Sequence, residues 1–212
     1  MLKLVSLDKY FKEGIMRKLI LGLLCLSVST VFADSFLGML DGSESPDKVT
    51  ESANSKCLRY KNSITVITQK DEDAPGDHIL IKIGDDASCS WDSAAGWETD
   101  SGEASYFLGK WKNLIFIDRG TGPDGRDVLV FDLESKHQVF AANYSEPLEI
   151  SSKKLTYWQG ANTLATKDNC DEFEDAEKSG LTPQIQKLMS VDLTAVTPVA
   201  QSSKKTRCKL TQ

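Results

Sequence analysis

Short runs of aliphatic, β-branched and aromatic residues alternate with clusters of Gly, Pro, Asp, Ser and Lys throughout residues 106–159. Runs of this length between turn-forming residues are typical of consecutive antiparallel strands. Two similar runs, residues 63–68 and 78–83, precede this block. The pattern predicts a mostly β protein, an antiparallel β-sandwich or flattened barrel with a short helical insertion near the C-terminus.

Two of the runs are apolar on both of their alternating faces. Residues 114–117 read Leu-Ile-Phe-Ile and residues 128–131 read Val-Leu-Val-Phe. A strand that is apolar on both faces must be covered on both, so we expect these two strands to form a central hairpin. The following run, residues 138–142, contains two alanines and is expected near an edge of the sheet.

The segment 125–140 (GRDVLVFDLESKHQVF) resembles a strand pair from a β-propeller blade. A propeller needs several copies of its blade at a fixed period, and the sequence contains no second copy of this segment. The resemblance covers a small part of the chain, and we do not predict a propeller from it.

The pattern changes beyond residue 159. Residues 168–178 (DNCDEFEDAEK) predict a short acidic helix that Gly180 stops. Residues 183–188 are expected to add one further helical turn, and residues 189–196 to form the last strand. The lysine-rich tail follows.

The N-terminal residues 1–33 predict a leader and signal peptide. Arg17 and Lys18 precede an apolar run over residues 19–32 that ends in Val-Phe-Ala, which predicts cleavage after Ala33. Translation starts either at Met1 or at Met16, which directly precedes the two basic residues. The run is too short to span a bilayer comfortably, so no transmembrane segment is expected after cleavage. The alternative interpretation of this apolar run is a helix buried in the core.

Cleavage changes the charge of the chain. The mature chain loses 5 of the 25 basic and 2 of the 31 acidic residues, which leaves a net charge of −9. Residues 34–55 are rich in Ser, Asp, Glu, Gly and Pro and predict a flexible N-terminal arm. Residues 56–212 predict a single domain. Such an acidic protein is not expected to bind nucleic acid, whereas its charge permits a cationic partner.

Four cysteines remain after cleavage, namely Cys57, Cys89, Cys170 and Cys208. An even number in an exported chain predicts two disulfides, and three pairings are possible. Zinc ligation is the rival, but the chain has no Cys-x-x-Cys pair, and we predict no metal and no cofactor. Short loops favour Cys57–Cys89 and Cys170–Cys208. Export and disulfides together predict a periplasmic or secreted protein.

Residues 84–104 form a long loop, and long structured loops are often where ligands bind. Trp91 and Trp97 lie in this loop and are candidate binding residues for a sugar or a peptide. The alternative is that the two indoles cap an open end of the fold beside the Cys89 disulfide, because tryptophan is usually largely buried.

The turn 118–127 carries the densest set of functional groups. Asp118, Asp124 and Asp127 are candidates for a calcium site, but Arg119 and Arg126 would oppose a cation. We therefore predict a salt-bridged hairpin turn. The same carboxylates are the candidates for a glycan hydrolase, although the chain has neither a Gly-x-Ser-x-Gly elbow nor a phosphate-binding loop.

No catalytic constellation stands out, so the sequence favours a non-enzymatic exported binding or inhibitor-like protein. Its expected partners are a cationic protein or an envelope glycan. The alternative function is a carboxylate-dependent envelope hydrolase.

Overall fold

Three antiparallel sheets follow one another along the chain, and each is a meander of consecutive strands. The computed structural model describes residues 40–84, 88–99, 104–120 and 125–211. The first sheet comprises β1 (Lys48–Glu51), β2 (Ser55–Tyr60), β3 (Ile64–Lys70), β4 (Asp77–Ile83) and β5 (Trp97–Glu98). The middle sheet comprises β6 (Ser105–Trp111), β7 (Leu114–Gly120), β8 (Arg126–Asp132) and β9 (Gln138–Asn143). The third sheet comprises β10 (Ser145–Ser151), β11 (Lys154–Gly160), β12 (Thr182–Asp192) and β13 (Ala200–Thr211).

The middle sheet is buried on both faces. Leu114 and Phe116 of β7 pack against Tyr157 and its neighbours in the third sheet. The alternate residues Ile115 and Ile117 pack against the first sheet. Each such side chain stabilises the fold by about 1.5–3 kcal/mol relative to an exposed one. The predicted central hairpin is therefore confirmed, and β9 lies at an edge of its sheet as expected.

The sheets stack in a sandwich-like manner, with one apolar core on each side of the middle sheet. The described strands do not close into a barrel, because each sheet keeps two edge strands. Of the two predicted arrangements, the flattened barrel is thus wrong. The prediction of a mostly β protein with one short helix is confirmed.

The short helix α1 (Phe173–Ser179) ends at Gly180, which adopts the left-handed conformation with φ of 70°. The predicted helical turn at residues 183–188 is wrong, because these residues belong to β12. Their Gln, Lys and Leu side chains suit a helix, but β12 pairs with β13 from Thr182 and with β11 from Gln186, and this pairing overrides local propensity.

Both predicted disulfides, Cys57–Cys89 and Cys170–Cys208, are present. The first fastens residues 88–99 to the face of the first sheet that points away from the middle sheet. The second fastens the segment before α1 to β13. Two disulfides are compatible with an extracellular or periplasmic location, since such bridges form and persist in oxidising compartments.

Residues 40–47, which we call the linking segment, contact all three sheets. The backbone N–H groups of Leu40 and Glu44 donate to β6 over 2.7 Å each. In the third sheet, the N–H of Ile150 donates to the carbonyl of Asp41 over 2.8 Å. The segment then continues into β1 of the first sheet. Residue 40, where these contacts begin, is the first residue of the predicted N-terminal arm that the structure describes. The flexibility of that arm stays a prediction.

An ion pair helps to hold the linking segment in place. The ammonium of Lys110, a side chain that is 1% exposed, donates to Glu44 Oε2 over 2.6 Å. The backbone N–H of Lys112 donates to Glu44 Oε1 over 2.5 Å. Burial alone would raise the pKa of Glu44, but these bonds outweigh it and lower the pKa below its ordinary value of 4.5.

A group whose pKa is lowered by folding stabilises the fold above its unfolded pKa, and that stability is lost as the pH falls through the folded pKa. We therefore expect the wild type to lose more stability than Glu44→Gln between pH 6 and pH 3, measured by urea unfolding. Glu51→Gln, which removes an exposed pair with Lys56, is the control and should behave like the wild type. Equal pH dependence of wild type and Glu44→Gln would contradict the assignment.

Candidate functional site

A cleft with a volume of about 270 Å³ opens where the first sheet meets the turn between β8 and β9. Its walls come from β4, from β5 with the short 3₁₀ turn before it, and from one turn lysine. The lining residues are Ile81, Ile83, Ala94, Ala95, Gly96, Trp97 and Lys136.

The local sequence explains how the cleft forms. The carboxylate of Asp92 accepts a hydrogen bond from the N–H of Ala94 over 3.1 Å and caps the 3₁₀ turn Ser93–Ala95. At Gly96 a Cβ atom would come within 2.9 Å of the Ile81 carbonyl oxygen, so only glycine allows this close approach. The chain then places Trp97 opposite Ile81 in the pairing of β4 with β5.

Trp97 is half-buried in this cleft. Its ring packs edge-on against Phe131 of the middle sheet, with ring centroids 5.7 Å apart. Edge-to-face contacts of this kind stabilise by about 0.5–1.5 kcal/mol beyond the area they bury. One part of the indole therefore joins the core, and another part lines the cleft.

Trp91 lies elsewhere. It packs against Ile67, Leu80 and the Cys57–Cys89 disulfide, and its ring is 6.3 Å from that of His78. Leu80 and Ile81 are adjacent in β4, so their side chains point to opposite faces of the first sheet. The two candidate tryptophans thus lie on opposite faces, and only Trp97 lines the cleft.

The chemistry of the cleft is apolar with one positive charge. Ile83 is 58% exposed, so it presents apolar surface to solvent at the edge of the cleft. Lys136 is exposed and has a left-handed backbone with φ of 58°. Such a surface suits an apolar group that carries a negative or polar atom at its rim.

The carboxylates of the turn 118–127 are engaged by arginines. Asp118 is fully buried and accepts hydrogen bonds from the Tyr144 hydroxyl over 2.8 Å and from Arg126 through both Nε and Nη2. Asp127 pairs with Arg119 over 2.7 Å. Burial raises the pKa of Asp118 more than Tyr144 and Arg126 lower it. The ion pairs predicted for this hairpin are confirmed on its two strands. The turn residues 121–124, and with them Asp124, lie outside the described residues.

Asp118 and Asp127 do not converge. Asp127 lies opposite Arg119 in the pairing of β7 with β8, and Asp118 lies opposite Val128. Neighbouring positions of a strand face opposite sides, so Asp118 points towards the third sheet with Val128, and Asp127 points the other way. These two residues therefore do not form the facing pair that a two-carboxylate hydrolase needs.

Trp97 is among the binding residues predicted from the sequence, whereas Ile83 and Lys136 are not. Ile83 continues a regular strand pattern, and its exposure depends on β5 being only two residues long. Lys136 belongs to a turn of the middle sheet, and only the stacking of the two sheets brings it to Trp97. No local signal in the sequence indicates either contribution.

Within the described residues, no group of three or more His, Cys, Asp or Glu side chains is arranged to hold a metal ion. The described residues also contain no helix that is long and apolar enough to cross a membrane. Comparison of the chain with protein-family models, with curated proteins and with solved structures finds no match in any of the three.

Proposed function

We propose that the protein is an exported, periplasmic or secreted, non-enzymatic binding or inhibitor-like protein, and that the cleft at Trp97 receives part of its partner. The observation that carries this proposal is the half-exposed apolar wall of Trp97 and Ile83 beside a single lysine. Binding sites are concave and mostly apolar, with a few polar groups that fix orientation.

The size of the cleft favours one side chain of a partner protein. A volume of about 270 Å³ lies just below the usual range of pockets for small-molecule ligands. Buried aromatic and aliphatic anchors supply most of the binding energy in protein interfaces. A net charge of −9 after cleavage would speed the encounter with a cationic partner. An envelope glycan is the second class of partner.

Export is supported by the apolar run behind Arg17 and Lys18 and by the two disulfides. N-terminal sequencing of the protein from a periplasmic or secreted fraction is expected to begin at Asp34. Soluble cytoplasmic protein with an intact leader would contradict this part of the proposal.

The binding prediction is tested by capture of partners from an envelope extract. Ile83→Asp is expected to lower recovery of the specific partner at least about tenfold, because it places a charge on the apolar wall. The matched control is Val199→Asp, since Val199 is 64% exposed but lies outside the cleft. Both side chains are exposed, so neither change should disturb folding.

Two further variants locate the site. Trp97→Ala should act like Ile83→Asp, whereas Trp91→Ala, on the opposite face of the first sheet, should keep the partner if it remains folded. Equal recovery by the wild type, Ile83→Asp and Val199→Asp would exclude the cleft as the binding site. A wild type that recovers no partner at all would count against a binding function.

A further inference from the structure

Two cations converge on the outer face of the third sheet. Leu155 and Tyr157 of β11 face the middle sheet, so Trp158, the residue after Tyr157, points to the opposite face. The guanidinium carbon of Arg207 lies 4.4 Å from the centroid of the Trp158 ring. The ammonium of Lys205 lies 5.7 Å from the same centroid. The indole is 7% exposed, so it supports the two cations from beneath.

Arg207 is held in position by neutral partners. Its Nε donates to Gln186 Oε1 over 2.8 Å, and its Nη2 donates to the carbonyl of Glu146 over 2.6 Å. Gln186 is itself fully buried, and its Nε2 donates to Ser145 Oγ over 2.9 Å and to Gln184 Oε1 over 3.1 Å. Side chains fixed in this way by a supporting layer of hydrogen bonds are typical of binding sites.

Neither cation has a counter-ion in the described part of the protein. No carboxylate oxygen there lies within 4.0 Å of Lys205 or Arg207, whereas Arg119 and Arg126 each pair with an aspartate. Glu149, on the same face, accepts the hydroxyl of Thr156 instead. The sequence also has no Asp or Glu after Asp192. Two like charges above one indole therefore lack the anion that would offset their repulsion.

Hydrogen-bonding capacity also remains. A guanidinium has five N–H donors and an ammonium has three. Arg207 uses two of its five within the described residues, and Lys205 uses none of its three. Six donors in one place complement the several acceptor oxygens of a carboxylate or a phosphate group.

We propose that Lys205 and Arg207, supported by Trp158 and Gln186, form a binding site for the oxyanion of an acidic saccharide, a uronate or a phosphorylated sugar. The surrounding face carries amide and hydroxyl groups that suit sugar hydroxyls, namely those of Gln184, Thr156 and Ser190. None of the large apolar side chains that stand exposed in the described residues lies on strands β10–β13, so this face lacks what a lipid-inserting surface needs. The site is separate from the cleft at Trp97.

Titration calorimetry of the purified mature protein at constant ionic strength tests the proposal, with glucuronate, glucose 6-phosphate and inorganic phosphate as probes and glucose as the neutral control. Glucuronate or glucose 6-phosphate is expected to bind more tightly than inorganic phosphate, and glucose not at all. Arg207→Gln should weaken binding at least about tenfold, since it removes a charged donor. Lys205→Gln should weaken it several-fold.

The control is Lys204→Gln, which removes the same charge from the neighbouring exposed residue, whose side chain lies on the opposite face of β13 from Lys205. It should leave the affinity within about twofold. If Lys204→Gln and Lys205→Gln lower the affinity equally, the effect comes from net charge alone and the proposed site is wrong. Binding to none of these probes would overturn it as well, and so would binding to phosphatidylglycerol vesicles, titrated in the same way, in the absence of binding to the probes. Should Arg207→Gln not fold, Lys205→Gln decides, because that side chain is exposed.

Discussion

Replacement of Arg126 by methionine is expected to lower the free energy of unfolding by about 3–5 kcal/mol. The change leaves the fully buried carboxylate of Asp118 without its cation, between the middle and third sheets. Tyr144 would still donate one hydrogen bond over 2.8 Å, which does not replace a guanidinium that contacts both carboxylate oxygens. Urea unfolding at neutral pH measures the loss.

The same hairpin provides the control. Arg119 and Asp127 also pair across β7 and β8, over 2.7 Å, but their side chains are 37% and 19% exposed. Arg119→Met should therefore cost no more than about 1 kcal/mol. If Arg126→Met and Arg119→Met destabilise the protein equally, the buried pair does not have the role assigned to it.

Removal of the Cys57–Cys89 bridge by a double substitution to alanine is expected to cost up to about 4 kcal/mol in the chain-entropy model. Its cysteines are 32 residues apart, and the bridge fastens the segment that carries Trp91 and the 3₁₀ turn before Trp97. Partner capture through the cleft should fall together with stability, because that turn forms one wall of the cleft. Unfolding and capture measured on the same preparation link the two effects.

The second bridge serves as the matched control. Cys170–Cys208 joins residues 38 apart, so its loss should cost a similar amount of stability. It lies on the third sheet and should leave capture through the cleft intact. Free thiols in the native exported protein would contradict both bridges, and loss of capture in both variants would contradict the link between the first bridge and the cleft.

The parts of the fold that could be predicted from the sequence are those determined by the pattern of neighbouring residues. The alternation over residues 114–117 indicates two buried faces, and the structure covers them with two different sheets. The disulfide pairing followed from loop length alone. Gly180 marked the end of α1 because few other residues adopt a left-handed conformation there.

The features of the fold and of the two sites that the sequence did not predict depend on contacts between segments that are distant in the sequence. A strand that is apolar on both faces must be buried on both faces. The pattern does not reveal whether each face is buried by a separate sheet or by the opposite wall of a barrel. Lys110 is a lysine in a strand, and the carboxylate that neutralises its buried ammonium belongs to Glu44, 66 residues away in the sequence. Lys136 and Trp97 share a cleft because two sheets stack, and Arg207 reaches Trp158 because three strands lie side by side.

The linking segment makes its contacts with strands that are synthesised after it. A ribosome makes it before any of the strands, yet Glu44 must wait for Lys110, which lies 66 residues further along, and Asp41 must wait for Ile150 of β10. Each meander pairs neighbours in sequence and can form as soon as it is complete. The first residues of the structure can therefore bond to β6 once that strand is made, but a nascent chain that stops before β10 still lacks the hydrogen bond between Asp41 and Ile150.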